Sequence, residues 1–385
     1  MSIFYKIFIY FCLRKVSNDF IGKLVVIFPN KSKYIFGNGK ESVNFTIKRN
    51  FFFIRVLLNG ITGIGYSYYK GEWSTNNLPY VIETGIRNIN QIKKLKRLNI
   101  VADRLIKKFH RGNTISRSKK QISYHYDLGN NFYKSWLDKT MTYSSAKFDE
   151  KNISLEKAQL NKYNSLTKLA KIKKNSTVLE IGCGWGGFTG YISNNIGSDI
   201  TGITISKNQY SYAKDLGQKN VRILFLDYRK VKSIYDKIIS IEMFEAIGKK
   251  NWNNFFKVVD QSLNKKGLAA LQIITINEKL YKNYEKNKDF IQKYIFPGGM
   301  LPTKKIIYNL AEKNNLLISK ETSLRSDYVE TLKVWRNNFS LKYKELEKMG
   351  FKEDFKRLWQ YYLIYCEKGF KLGTLDVHQF LLEKK

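Results

Sequence analysis

Cysteine is scarce in this chain of 385 residues: Cys12, Cys183 and Cys366 lie far apart, are odd in number and form no C-x-x-C pair. That excludes a disulfide-stapled secreted scaffold and points to a reducing, cytoplasmic setting. Histidine is as scarce, with three residues and no cluster, so no metal is expected. Acidic residues are few as well, 32 Asp+Glu against 68 Lys+Arg, which leaves a formal charge of +36. Such an excess favours a polyanionic partner, either nucleic acid or an anionic bilayer surface. The bland alternative is a composition rich in Lys, Asn and Ile throughout. No apolar run reaches the roughly 20 residues that span a bilayer. The opening Ile3–Leu13 contains Lys6 and lacks a small-residue cleavage site, so it reads as a buried or interfacial first element rather than a signal peptide. There is no internal repeat and no low-complexity tract.

What is present, 43% hydrophobic and 15% aromatic residues, suffices for two or three packed domains. Residues 20 to about 90 alternate short apolar runs with turns: Leu24–Phe28, Pro29-Asn30-Lys31, Tyr34–Phe36, Gly37-Asn38-Gly39 and Val43–Ile47. These are hairpin signals, and residues 1–90 are expected to form a smaller α+β N-terminal domain. From Lys93 to Lys120 there are eleven Lys or Arg and a single acid, Asp103, with apolar residues at helical spacing. A basic helical linker is expected over 91–120, able to lie on an anionic membrane surface, with a solvated interdomain helix as the plain alternative.

From residue 121 to 385 a catalytic domain is expected. The strand candidates Thr177–Ile181, Ile200–Ile205, Val221–Phe225, Lys237–Ile241 and Leu268–Ile273 are separated by longer helical segments. That alternation predicts an α/β, doubly wound Rossmann-like sheet, with ligands beyond the carboxyl ends of its strands.

The first of these strands runs into Glu180-Ile-Gly-Cys-Gly-Trp-Gly-Gly187. Glycines here let the backbone approach a ligand, and the following helix offers unpaired amides, but the pattern is shared by dinucleotide enzymes and methyltransferases. A dinucleotide site expects an acid at the end of the second strand; this one ends Thr204-Ile-Ser-Lys-Asn-Gln209. The third ends Leu226-Asp-Tyr-Arg229, a carboxylate and a ring suited to adenine. The cofactor favoured is S-adenosylmethionine.

With Tyr124–Tyr133, Met141–Ser145, Val178–Gly187, Gly202–Ser206, Ser240–Gly248, Phe290–Gly299 and Cys366–Phe370 in order, the chain resembles the cyclopropane-fatty-acyl-phospholipid synthase family of S-adenosylmethionine-dependent lipid methyltransferases. The resemblance implies a class I methyltransferase fold. It also implies a cofactor pocket lined by Tyr143, Ser144, Gly182, Gly184, Thr204, Gln209, Asp227 and Tyr228. The implied reaction is methyl transfer to the cis double bond of a membrane phospholipid acyl chain, then proton loss and ring closure. An alkene is apolar and weakly nucleophilic, so such chemistry calls for an apolar tunnel beside the sulfonium, with π faces and a carboxylate near the cation that forms. Tyr143, Phe244, Phe296, Tyr328 and Trp335 are candidates for the rings, and Glu245 for the charge. No nucleophile-base signature is present, and none is needed.

In better-known members of that family a bicarbonate ion is held by a cysteine, a glutamate, a histidine and a tyrosine. The matching positions here are Ser145, Glu245, Gln272 and Tyr328, so bicarbonate enters as a second candidate cofactor on a changed ligand set. A serine hydroxyl and a glutamine amide keep hydrogen-bonding capacity but lose the titratable imidazole. Glu245 is therefore expected to be essential, as anchor of the anion or as base.

The expected partners are anionic membrane phospholipids with unsaturated acyl chains, not nucleic acid, with a homodimer as candidate assembly and a cytoplasmic, peripheral location on the inner membrane surface. Loss of a neighbouring chain proton would instead give a methyl-branched or methylene-bearing chain. Two other classes are an RNA methyltransferase, which lacks here an Asn-Pro-Pro-Tyr or paired-cysteine motif, and a lipid-binding relative without catalysis. For single residues the plain readings are a dipole-stabilised helix start for Glu245, packing choices for Ser145 and Gln272, and a core stripe for Tyr328 and Trp335. His125 is expected to order the entrance segment, His110 and His378 have no assigned role, and Cys183 is expected to be a small filler.

Overall fold

The computed structural model describes residues 20–89, 128–150 and 152–385. The apolar opening with Cys12, the basic stretch 93–120 with His110, and the start of the Tyr124–Tyr133 motif with His125 lie outside the described residues. The chain divides into two compact units.

The described part of the first unit comprises residues 20–89 with Asp289–Ile295 and Tyr343–Leu372. Strands β1 (Leu24–Ile27), β2 (Lys33–Phe36), β3 (Val43–Ile47) and β4 (Trp73–Thr75) form a sheet in the order β2-β1-β3-β4. Val43, Phe45 and Ile47 are buried while Asn44 faces out, the alternation expected of a strand with one wet face. Phe45 stacks on Trp73 with ring centroids 4.3 Å apart. Helices α1 (Phe51–Asn59), α2 (Ile61–Tyr69) and α3 (Leu78–Arg87) complete the N-terminal part, and α3 is capped by Asn77, whose side chain accepts from the Tyr80 amide. Two later segments join this unit although they follow the catalytic motifs in sequence. Phe290 packs its ring 4.6 Å from Tyr361, and Glu83 of α3 pairs with Lys371 at 3.0 Å.

The second unit is built on strands β5 (Thr177–Ile181), β6 (Asp199–Thr204), β7 (Val221–Phe225), β8 (Tyr235–Ile241), β9 (Leu263–Ile276), β10 (Leu316–Ser323) and β11 (Leu375–Lys384). Their order is β10-β11-β9-β8-β5-β6-β7, parallel from β9 to β7, with β11 and β10 added antiparallel. Val178, Ile200, Ile239 and Ala270 belong to one apolar cluster, and Leu179, Ile203, Ile238 and Leu271 to another. Adjacent residues thus feed opposite faces, which is why these strands read as continuous apolar runs. Helices α4 (Gly129–Lys134), α5 (Leu155–Leu169), α6 (Gly187–Asn195), α7 (Lys207–Asp215) and α8 (Trp252–Ser262) belong here, as does α9 (Arg325–Lys348) up to Lys342. This is the Rossmann-like class I methyltransferase fold. The chain runs outward from β5 to β7 and returns to β8 on the other side of β5. The switch point between β5 and β8 is where such folds bind ligands. Among the described residues no helix is long and apolar enough to cross a membrane.

Candidate active site

The turn after β5 needs glycine for two separate reasons. Gly182 has φ +83°, and a Cβ there would come within 2.6 Å of the Met243 side chain. Gly186 has φ +88° and forms the left-handed N-cap of α6. Beyond the strand ends lies a cavity of about 500 Å³. All eight cofactor-pocket candidates line it: Gly182 and Gly184 after β5, Thr204 and Gln209 around the β6 end, Asp227 and Tyr228 after β7, and Tyr143 with Ser144 from the segment before α5. The Thr204 hydroxyl donates to Gln209 Oε1 at 2.9 Å. Asp227 accepts from the Arg229 guanidinium at 2.9 and 2.6 Å, and that contact holds its carboxyl below the usual range.

Glu180 tests whether this cavity suits S-adenosylmethionine. Its side chain lines the cavity, is 2% exposed, and its Oε2 has no hydrogen-bond partner in the structure. Burial pushes its pKa up to about 8. A buried acid with an orphaned oxygen beside a glycine turn suits a ligand carrying an ammonium group, which would ionise and satisfy it. The residues fit the cofactor.

A second carboxylate, Glu242, lines the same cavity one residue beyond β8. Its Oε1 accepts from the Ser145 amide at 2.8 Å and from Gln272 Nε2 at 2.8 Å, and its Oε2 accepts from the Tyr328 hydroxyl at 2.8 Å. The Gln272 amide is itself held: its Oε1 accepts from Gln379 Nε2 at 3.0 Å, and Gln379 Oε1 accepts from Ser165 at 2.8 Å. That chain turns the amide nitrogen of Gln272 toward Glu242. The backbone that aims Glu242 has φ +50°, an uncommon conformation for a residue with a Cβ that costs on the order of 1 kcal/mol. Tyr328 sits on α9 between Asp327 and Thr331, which pin the 146–148 segment by accepting the Phe148 and Ala146 amides at 2.7 and 3.0 Å.

Beneath this network lies Lys162 of α5, fully buried, with Nζ 2.7 Å from Ser144 Oγ. Gln159, one turn earlier, donates to the Ser144 carbonyl at 3.0 Å, so one face of α5 fixes a cavity-lining residue from two sides. Burial lowers the Lys162 pKa to about 8, against the pull of Glu242, Asp138 and Glu180. The cation is thus set among three carboxyl groups.

The four catalytic candidates separate here. Ser145, Gln272 and Tyr328 are drawn together, all on Glu242; the serine acts through its amide, since its hydroxyl donates to the Ala146 carbonyl at 3.0 Å. Glu245, expected to be the central acid, does not line the cavity. It lies in a short 3-10 turn, Phe244–Ile247, where its Oε1 accepts from the Ile274 amide while its Oε2 is buried without a partner. Burial, and then the charge of Glu242, push its pKa up to about 8, so it is mainly neutral near pH 7. Burial raises the Glu242 pKa too, but three donors and Lys162 oppose the rise, whereas the Glu245 side chain accepts a single amide bond. Of the two, Glu242 has the surroundings that favour the charged form.

Among the ring candidates, Phe244 belongs to the core instead, packed against Trp252, Phe255 and Phe256. The other four connect: Tyr143 lies 5.1 Å from Trp335 and 6.4 Å from Phe296, and Trp335 lies 6.1 Å from Tyr328. Tyr133 and Trp136, not singled out beforehand, extend this wall at 5.3 and 5.7 Å from Tyr143. Glu242 and Lys162 were also missed. Glu242 had a usable signal, since it directly follows β8 on the same rim as Gly182, Thr204 and Asp227. Lys162 had none, because one lysine on a helix reads as solvated.

Comparison with known proteins agrees with this geometry. The family model for mycolic acid cyclopropane synthetase matches residues 113–380. The chain is 34% identical over 344 residues to the tuberculostearic acid methyltransferase UfaA1 of Mycobacterium tuberculosis, covering 85% of this chain and 80% of that one. It is 32% identical over 355 residues to the cyclopropane-fatty-acyl-phospholipid synthase of Escherichia coli K12, covering 90% and 89%. Among solved structures, the mycolic acid cyclopropane synthase CmaA1 in complex with SAH and CTAB superposes with a TM-score of 0.64 at 28% identity, over 68% of this chain and 97% of that one. The chain therefore belongs to the mycolic acid cyclopropane synthetase family, and it is an S-adenosylmethionine-dependent transferase.

Proposed function

We propose that the protein transfers a one-carbon unit from S-adenosylmethionine to the cis double bond of an unsaturated phospholipid acyl chain and closes a cyclopropane ring. The observation that carries this reading is the position of Glu242: a carboxyl held by three donors on the rim of the glycine-turn cavity, with the Tyr143–Trp335 ring cluster in the same unit. Tyr143, Ser144, Gly182, Gly184, Thr204, Gln209, Asp227 and Tyr228 hold the cofactor, and Glu180 meets its ammonium group. When bound, S-adenosylmethionine supplies an electrophilic methyl group. The alkene π electrons form the new C–C bond as the sulfur–methyl bond breaks, its electron pair leaving with S-adenosylhomocysteine, and the positive charge passes to the acyl chain. The rings of Tyr143, Trp335 and Phe296 exclude water, which would otherwise capture that cation, and present π faces to it. Glu242 stabilises the charge and takes a proton from the new methyl group; the C–H electron pair closes the ring, and the proton leaves to solvent with the product.

The substrate in this reading is an anionic phospholipid met at the cytoplasmic surface of the inner membrane. The formal charge of +36 supports that site of action, since each basic residue near an anionic leaflet adds about 1 kcal/mol. Mass spectrometry of lipids from cells expressing the chain tests the reaction. Acyl chains heavier by one methylene, with a ring on fragmentation, are expected, and an unaltered lipid profile would refute it. Sedimentation with anionic vesicles over a salt series tests the location: binding that weakens with salt is expected, and retention on RNA but not on vesicles would contradict it.

A further inference from the structure

Family resemblance implies a bicarbonate ion held by the residues at positions 145, 245, 272 and 328. The residues present do not fit such an ion. Three of the four positions spend their donors on Glu242, which receives the Ser145 amide, the Gln272 amide and the Tyr328 hydroxyl, each at 2.8 Å. The fourth position, Glu245, points its Oε1 at the Ile274 amide. A planar carboxylate with two acceptor oxygens presents the same face to these donors as a bicarbonate ion would. A second anion placed beside it would meet like charge, with the Ser145 amide, the Gln272 amide and the Tyr328 hydroxyl already engaged.

We infer that the Glu242 carboxylate stands in for the bicarbonate ion, so that this enzyme carries its proton-accepting anion within its own chain and works without bicarbonate. Two features suit Glu242 to that role. Its backbone adopts φ +50°, a conformation that favours glycine and that here swings the side chain onto the three donors. Gln272, locked by Gln379 and Ser165, is a donor that does not titrate, so the carboxylate is held in one orientation across pH. This inference rests on the methyl-transfer reading above.

The test uses the full-length chain, vesicles of a monounsaturated anionic phospholipid and S-adenosylmethionine with a labelled methyl group. Buffer is freed of carbon dioxide, and the assay is repeated with added bicarbonate. Wild-type turnover should be equal in the two buffers to within about twofold, and calorimetry should show no saturable bicarbonate binding. Glu242→Gly, which suits the left-handed backbone and vacates the anion position, should lose about a hundredfold or more without bicarbonate, the usual scale of a lost general base. Added bicarbonate should restore it about tenfold or more, and it should now bind the ion. Glu242→Gln, which keeps the position filled, should be inactive in both buffers while still binding S-adenosylhomocysteine. A wild-type enzyme that stops when bicarbonate is removed, or a Glu242→Gln variant that retains turnover, would overturn the inference while leaving the transfer reaction standing. A wild-type enzyme that transfers no label in either buffer would overturn the reaction itself.

Discussion

Replacing Glu245 by glutamine separates the two buried acids of the β8 turn, because opposite results are expected at the two positions. The Glu245 carboxyl has its pKa pushed from an ordinary 4.5 to about 8, chiefly by burial. Near pH 7 it is then about nine-tenths protonated, and a glutamine keeps both its shape and the acceptor for the Ile274 amide. Activity should fall only a few-fold in Glu245→Gln, against about a hundredfold or more in Glu242→Gln. Stability provides a second readout. The folded protein retains the Glu245 proton between about pH 4.5 and 8, where the unfolded chain has released it. That proton therefore stabilises the fold fully below pH 4.5, and the contribution is lost as pH rises toward 8. Each pH unit across that interval removes about 1.4 kcal/mol, so the whole loss is on the order of a few kcal/mol. Glu180, raised for the same reason, adds a similar slope that the substitution leaves in place. Thermal melts at pH 5 and pH 8 should show Glu245→Gln losing less Tm than wild type across that interval, with initial rates measured in parallel on vesicles. Equal inactivity of the two glutamine variants, or an unchanged Tm difference, would refute the assignment of the charge to Glu242.

Three further substitutions probe the surroundings. Lys162→Met removes the cation that offsets Glu242, Asp138 and Glu180, so the acid limb of kcat/KM against pH should move up by about one unit or more; an unmoved limb at full activity would count against the charge cluster. Tyr328→Phe deletes one charge-assisted hydrogen bond, a change of about 1.5–3 kcal/mol, and should lower kcat/KM about tenfold or more while calorimetry shows S-adenosylmethionine affinity nearly unchanged. Gly182→Ala places a Cβ against Met243 at 2.6 Å on a backbone with φ +83°, and calorimetry should find cofactor binding lost or weakened at least tenfold.

Much of this architecture was legible from residue order. β5 and β7 begin and end where residue order placed them: β5 is buried from Val178 to Ile181, and β7, at the sheet edge, keeps its run of Val221, Ile223, Leu224 and Phe225 around the exposed Arg222. The antiparallel pair β10 and β11 was not, since β10 is mostly polar and β11 buries His378 and Gln379 among its apolar residues. The eight cavity-lining candidates were named by resemblance; six of them lie at or just beyond the ends of parallel strands, and Tyr143 and Ser144 come from the segment before α5. The acid that lines the cavity, Glu242, stands three residues before Glu245, the one singled out from residue order. Which of Glu242 and Glu245 faces the cavity depends on one left-handed backbone angle, and residue order does not display it. Lys162 is hidden for another reason, because its burial is tertiary: its ammonium meets Ser144, 18 residues earlier in the chain.

The most direct measurement uses methyl-deuterated S-adenosylmethionine, monounsaturated anionic vesicles and wild-type enzyme in buffer free of carbon dioxide, with the acyl products read by mass spectrometry. The expected product is a cyclopropane chain whose added carbon carries one deuteron fewer than the methyl group it came from. An acyl chain without label, or label appearing only after bicarbonate is returned, would contradict the account.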